Sequence, residues 1–167
     1  MTHLGKTIIL LSGLALAACT NPDRFESQNT VDLNNGGLSG MPSDPTSPAY
    51  FQQAVGDRVL FAVDQSTLSA SAQATLDEQA RWLMENRDFN ATIEGHADEQ
   101  GTREYNLALG ARRANAVQEY LVTRGVAENR LRTVSYGKER PIEVCSAESC
   151  YAQNRRAVTV LTAGFGS

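Results

Sequence analysis

The distribution of apolar and polar positions divides the chain into three parts. An apolar run from Thr7 to Ala18 (TIILLSGLALAA) is followed by a polar stretch from Thr20 to about Pro48, and globular patterning starts near Tyr50. In the third part, the β-rich run Arg58-Val59-Leu60-Phe61-Ala62-Val63 predicts a strand ending at Asp64. Leu68, Ala72, Leu76, Ala80 and Leu83 then recur at four- and three-residue steps. They predict a helix capped by Ser69 or Ser71, with Trp82 packed beside its buried face. A second strand is expected over Asn90–His96, and a polar loop, Ala97–Gly101, leads to a long helix that Thr102 can cap. Leu107, Ala111, Ala114, Val117 and Leu121 mark the expected buried face of that helix, and Gly125 is placed to end it in a left-handed conformation. Strands over Leu131–Tyr136 and Arg156–Leu161 complete a β-α-β-α-β-β order. The alternation predicts an α/β (α+β) two-layer sandwich, with helices on one face of a mixed sheet and no internal repeat.

The first two parts carry different information. Lys6, the apolar run and the small residues before Cys19 have the order of a secretory signal, and the run is shorter than the ~20 apolar residues a membrane span needs. Leu16-Ala17-Ala18-Cys19 resembles the lipobox of bacterial lipoproteins. That resemblance implies cleavage before Cys19 and lipid on its sulfur and amino group. Each buried methylene contributes about 0.8 kcal/mol, and two or more chains anchor stably where one does not. Thr20, rather than Asp, follows the cysteine, which by the same resemblance implies sorting to the outer membrane. The segment rich in Asn, Asp, Ser, Gly and Pro has too little apolar surface to offset the entropy of ordering, so residues 19–49 read as a flexible tether. About 30 such residues have a root-mean-square reach of about 30 Å. Residues 1–18 are then the signal, and residues 50–167 one domain facing the periplasm.

Composition narrows the function classes. With 41% hydrophobic and 20% charged residues and a formal charge of −4, the chain gives no reason to expect nucleic acid as a partner. If Cys19 carries lipid, Cys145 and Cys150 remain as an even pair, and export favours a disulfide between them. A metal or redox pair is the competing reading, but neither a second cysteine pair nor a nearby histidine completes such a site.

The stretch Thr92–Val117, TIEGHADEQGTREYNLALGARRANAV, is very similar to the signature of the C-terminal peptidoglycan-binding domain of the outer membrane protein A family. With the lipobox, the tether and the later segments Ser135–Glu139 and Asn154–Val158, the whole chain resembles the peptidoglycan-associated lipoproteins, the likeness covering roughly residues 57 to 162. The resemblance implies non-covalent binding of the diaminopimelate of the wall's stem peptide, and a tie between outer membrane and wall within the Tol–Pal system of envelope integrity and cell division. It also implies TolB and TolA as protein partners, through a surface overlapping the wall-binding groove.

Residue by residue, the likeness assigns the ligand ammonium to the Asp98 carboxylate and a ligand carboxylate to the guanidinium of Arg113, 15 positions further on. A guanidinium can form a directional, bidentate pair that an ammonium cannot. Asn106 and Asp64 match further ligand positions. Val63 stands where the family often has Phe and is carried with them. Thr102, Arg155 and Arg156 are candidates for the same groove, although the two arginines could equally pair with acids beside the sheet.

An enzyme is the main alternative. Glu94 and His96 share one strand face, but a catalytic zinc usually takes three protein ligands, and neither HExxH nor a nucleophile elbow is present. A wall hydrolase would need a carboxylate pair placed across a glycosidic bond. The expectation is a binding protein without cofactor or metal.

Overall fold

The computed structural model describes residues 41–164. The signal, Cys19 and the tether up to residue 40 lie outside them. Its elements are α1 (Pro48–Tyr50), continuing into a π-helical turn Phe51–Gly56, then β1 (Arg58–Leu60), α2 (Ala70–Glu85), β2 (Phe89–His96), α3 (Arg103–Thr123), β3 (Leu131–Gly137), α4 (Glu148–Asn154) and β4 (Arg156–Ala163). The strands form one sheet in the order β1-β4-β2-β3. β2 and β3 are parallel, whereas β4 runs antiparallel to both β1 and β2, so the sheet is mixed.

One face of the sheet, carrying Val59, Ala91, Ile93, Leu131 and Ala157, meets the helices. From α2 come Ala72, Leu76, Ala80 and Leu83, and from α3 Ala114, Val117 and Leu121. Burying each large aliphatic side chain contributes about 1.5–3 kcal/mol. Trp82 closes the edge between Phe51 and Phe89, with ring centroids 4.9 and 5.3 Å away. Gln79 is the polar tie across this core, donating to the Gly56 carbonyl at 2.6 Å and accepting from Thr159 Oγ1 at 2.8 Å.

The helix ends follow local chemistry. Ser69 Oγ accepts from Ala72 N and Thr102 Oγ1 from Tyr105 N, each at 3.2 Å, so both helices start on hydroxyl caps. Gly125, at φ +102°, provides the left-handed turn that ends α3.

The structure departs from the pattern-based expectations in four places. β1 stops at Leu60 because the chain turns away, with Asp64 at φ +56°. α4 adds a helix between β3 and β4. Residues 41–49, expected as the end of the tether, contact the domain: the Trp82 indole donates to the Pro45 carbonyl at 2.7 Å and buried Ser47 caps α1. On α3, Leu107 is 49% exposed, and the buried face instead includes Asn106, Leu109, Gly110 and Arg113. Polar and small side chains turned inward disguised that stripe.

Candidate functional site

Three segments converge at one end of the sheet: the loop after β1, the loop after β2, and the first turns of α3. β2 is prolonged past His96 by the bond from Ala97 N to the Gly137 carbonyl at 2.8 Å, which delivers Asp98 to the mouth of the site. Asp98 is 8% exposed. Its Oδ1 accepts from Gln100 N at 3.2 Å, a local turn that folds the loop back. Asn106 Nδ2 donates to the Gln100 carbonyl at 2.7 Å and Lys138 Nζ to the Gly101 carbonyl at 2.7 Å, so the loop is held from both sides.

Arg113 is 0% exposed and directed into the protein. Its Nε donates to the Gln65 carbonyl at 2.8 Å, Nη1 to the His96 carbonyl at 2.8 Å and Nη2 to the Ala62 carbonyl at 3.1 Å. The guanidinium also lies 5.1 Å from the Phe61 ring centroid. One side chain thus joins the loop after β1 to the end of β2, with one N–H left on each terminal nitrogen. Burial lowers its pKa to about 10, with the charge of Asp98 opposing the shift, so it remains a cation at neutral pH. Of the three carbonyls, that of His96 is buried together with the guanidinium, and a donor from Arg113 takes the place of water there.

Between these segments opens a cavity of about 260 Å³. It is lined by Val63, Asp64, Asp98, Asn106 and Arg113, all read from the sequence. Gln100, Gly101, Tyr105 and Leu109 also line it and were not singled out. Tyr105 carried the clearest unused signal, an aromatic residue in the first turn of a helix beside the motif loop. Its hydroxyl donates to the Asp64 carboxylate, linking α3 to the loop after β1.

The remaining candidates lie around the cavity rather than in it. Thr102 is engaged as the α3 cap. Arg155, 5% exposed, stands behind Asp98, with Nη1 at 3.1 Å from Asp98 Oδ2 and Nη2 paired with Glu148. Burial alone would depress the Arg155 pKa, but the bonds from Glu148 and Asp98 outweigh it and raise the value above the ordinary one. Arg156 donates to the Arg140 carbonyl at 3.1 Å, and its next-door position on β4 sends it to the other face of the sheet, away from the cavity. Asp64, Asp98, Arg113 and Arg155 carry two negative and two positive charges, a balance suited to a zwitterion.

Cys145 and Cys150 form a disulfide immediately before and within α4. Tyr151 of α4 donates to Glu99 Oε1 at 2.9 Å, and Ser146 Oγ to the same atom at 3.2 Å, so this segment rests against the Asp98 loop. His96 is buried with both ring nitrogens lacking hydrogen-bond partners, and its Nε2 lies 3.7 Å from Glu94 Oε2. Among the described residues, no group of three His, Cys, Asp or Glu side chains could hold a metal ion.

Comparison with known proteins places these features in a family. A model of the OmpA family matches residues 60–155. The chain is 53% identical to a peptidoglycan-associated lipoprotein of Rhizobium meliloti (strain 1021), over 96% of this chain and 88% of that protein. It is 49% identical to one of Mesorhizobium japonicum, over 100% of this chain and 96% of the relative. Among solved structures, the peptidoglycan-associated lipoprotein from Burkholderia pseudomallei superposes with a TM-score of 0.64 at 38% identity, covering 72% of this chain and 98% of that one. The C-terminal domain of Helicobacter pylori MotB shares the fold at 20% identity, with a TM-score of 0.61 over 65% of this chain and 86% of that one.

Proposed function

The chain belongs to the OmpA family and, within it, to the peptidoglycan-associated lipoproteins, and on that premise we propose that it is an outer-membrane lipoprotein whose periplasmic domain grips the diaminopimelate of peptidoglycan stem peptides. It is a binding protein rather than an enzyme. The observation that carries the reading is the convergence of the opposite charges of Asp98 and Arg113 on one small cavity. A stem-peptide diaminopimelate presents an ammonium and a carboxylate on one tetrahedral centre. Asp98, and Asp64 across the cavity, offer carboxylates to the ammonium. Arg113, fixed in the floor, offers a positive charge and its two remaining N–H groups to the ligand carboxylate. Because the guanidinium is already braced by three carbonyls, little side-chain entropy is left to lose when the ligand arrives. Asn106 keeps the loop in the shape that presents Asp98.

The same reading places lipid on Cys19, with residues after it spanning from membrane to wall. It gives the chain a place in the Tol–Pal system, with TolB and TolA as partners during envelope constriction. The test is co-sedimentation of the chain with purified sacculi. Wild type should pellet and be released by free diaminopimelate, and Asp98→Ala should stay in the supernatant; equal sedimentation of the two would refute the site. A Cys19→Ser protein should still pellet with sacculi but fail to incorporate labelled palmitate, which separates anchor from grip.

A further inference from the structure

Asp98 is nearly buried, and a carboxylate removed from water keeps its charge only where cations or donors replace the lost solvation. Gln100 N supplies one donor at 3.2 Å, and the charge is met by Arg155. That guanidinium is fixed on three sides. Nε donates to the Phe61 carbonyl at 3.2 Å, Nη1 to Asp98, and Nη2 to Glu148, a residue with a side chain 68% exposed. Glu148 in turn belongs to α4, which the Tyr151–Glu99 bond holds against the site loop and whose lead-in the disulfide closes on itself. Arg155 does not line the cavity, so a ligand there meets Asp98 and not the guanidinium behind it.

We infer that Arg155 is a positioning residue for ligand binding, acting wholly through Asp98. It sets a positive charge against the carboxylate in a nearly dry position and fixes its rotamer, so that the lone pairs not used by Arg155 and Gln100 N are presented to an ammonium. Glu148 is the outer counter-anchor that keeps Arg155 from swinging out to solvent. The inference rests on the reading of Asp98 as the ammonium partner.

A double-mutant cycle on the full-length chain, read by affinity for purified sacculi, tests it. Lysine keeps the charge but cannot reach Phe61, Asp98 and Glu148 together, so Arg155→Lys should weaken binding about tenfold, the scale of one charge-assisted hydrogen bond. In an Asp98→Asn background the same substitution should change nothing further, because the group it acts through is gone. Glu148→Gln should weaken binding less than Arg155→Lys, and only while Asp98 is intact. A merely structural role would lower the folded fraction in both backgrounds, so losses that add would overturn the inference while leaving the Asp98 assignment standing. Wild-type affinity in Arg155→Lys would overturn it as well. Undiminished binding by Asp98→Asn alone would sink both the inference and the site on which it rests.

Discussion

Gly95 of β2 and Gly110 of α3 lie so close that a methyl group on Gly95 would sit 1.9 Å from the Gly110 carbonyl oxygen. The helix rests on the strand backbone-to-backbone at this point, one turn before Arg113 and one residue before His96. A Gly95→Ala chain must separate the two elements and carry Arg113 away from the His96 carbonyl. It should lose about 3 kcal/mol of stability, at the upper end of overpacking costs. Gly110→Ala meets the Ser135 hydroxyl at 2.4 Å and the Gly95 carbonyl at 2.7 Å, and the serine can rotate, so its loss should be smaller. Urea unfolding of both variants would check the order, and equal midpoints would refute it.

Arg113 predicts a loss of stability coupled to a loss of grip. Lysine cannot span the carbonyls of Ala62, Gln65 and His96, so Arg113→Lys gives up bonds to one buried and two partly buried acceptors and should cost about 3 kcal/mol. Sacculus binding should disappear in the same variant. A variant with wild-type stability and no binding would mean that the guanidinium acts on ligand alone.

Asp64 separates backbone from charge. At φ +56° it occupies a conformation that Asn and Gly adopt readily and β-branched residues do not. Asp64→Asn should unfold within ~0.5 kcal/mol of wild type, whereas Asp64→Val should lose about 1–2 kcal/mol. If Asp64 helps to hold an ammonium, Asp64→Asn should nevertheless bind sacculi less well, measured at a concentration where both proteins are folded.

His96 should make stability pH-dependent. Burial, followed by the nearby charges of Arg156 and Arg140, lowers its pKa from 6.5 to about 4. Between these values the unfolded chain binds the proton and the folded one does not. The contribution is therefore complete above pH 6.5 and is lost as pH falls toward 4, amounting to about 3 kcal/mol. Chemical unfolding at a series of pH values should show this slope, and His96→Phe should flatten it within that window.

The disulfide closes a loop with a sequence separation of only 5, so its loss should cost about 2 kcal/mol by chain entropy. Replacing both cysteines with serine should lower the thermal midpoint accordingly. Sacculus affinity should fall too, since the loop carries Ser146 and Glu148 toward the Asp98 loop and its partner. Unchanged affinity in the double-serine chain would show that the site loop holds its own shape.

Much of the fold was legible because its signals are local. Periodicity located α2 and four strands, hydroxyl caps at Ser69 and Thr102 marked helix starts, and Gly125 marked an end. α4 was missed because Glu148–Asn154 is short, lies after a cysteine loop and buries little, leaving no periodic stripe to read. The buried face of α3 was misplaced at Leu107 for a different reason: its inward positions hold Asn106, Gly110 and Arg113, which hydropathy assigns to solvent.

Local signals were enough for the four strands and for α2 and α3 in their order, for the lipobox resemblance around Cys19, and for the residue types at the site, since caps, periods and motif spacings depend on neighbours within a few positions. What those residues do to one another depends on contacts between distant parts of the chain. The tertiary structure turned Arg113 inward onto three carbonyls, set Arg155 behind Asp98, and sent Arg156 to the opposite face of the sheet. These partners lie 16 to 57 positions apart, and which of them meet depends on strand order and on the Gly95–Gly110 approach. Neither is written in any local run of residues.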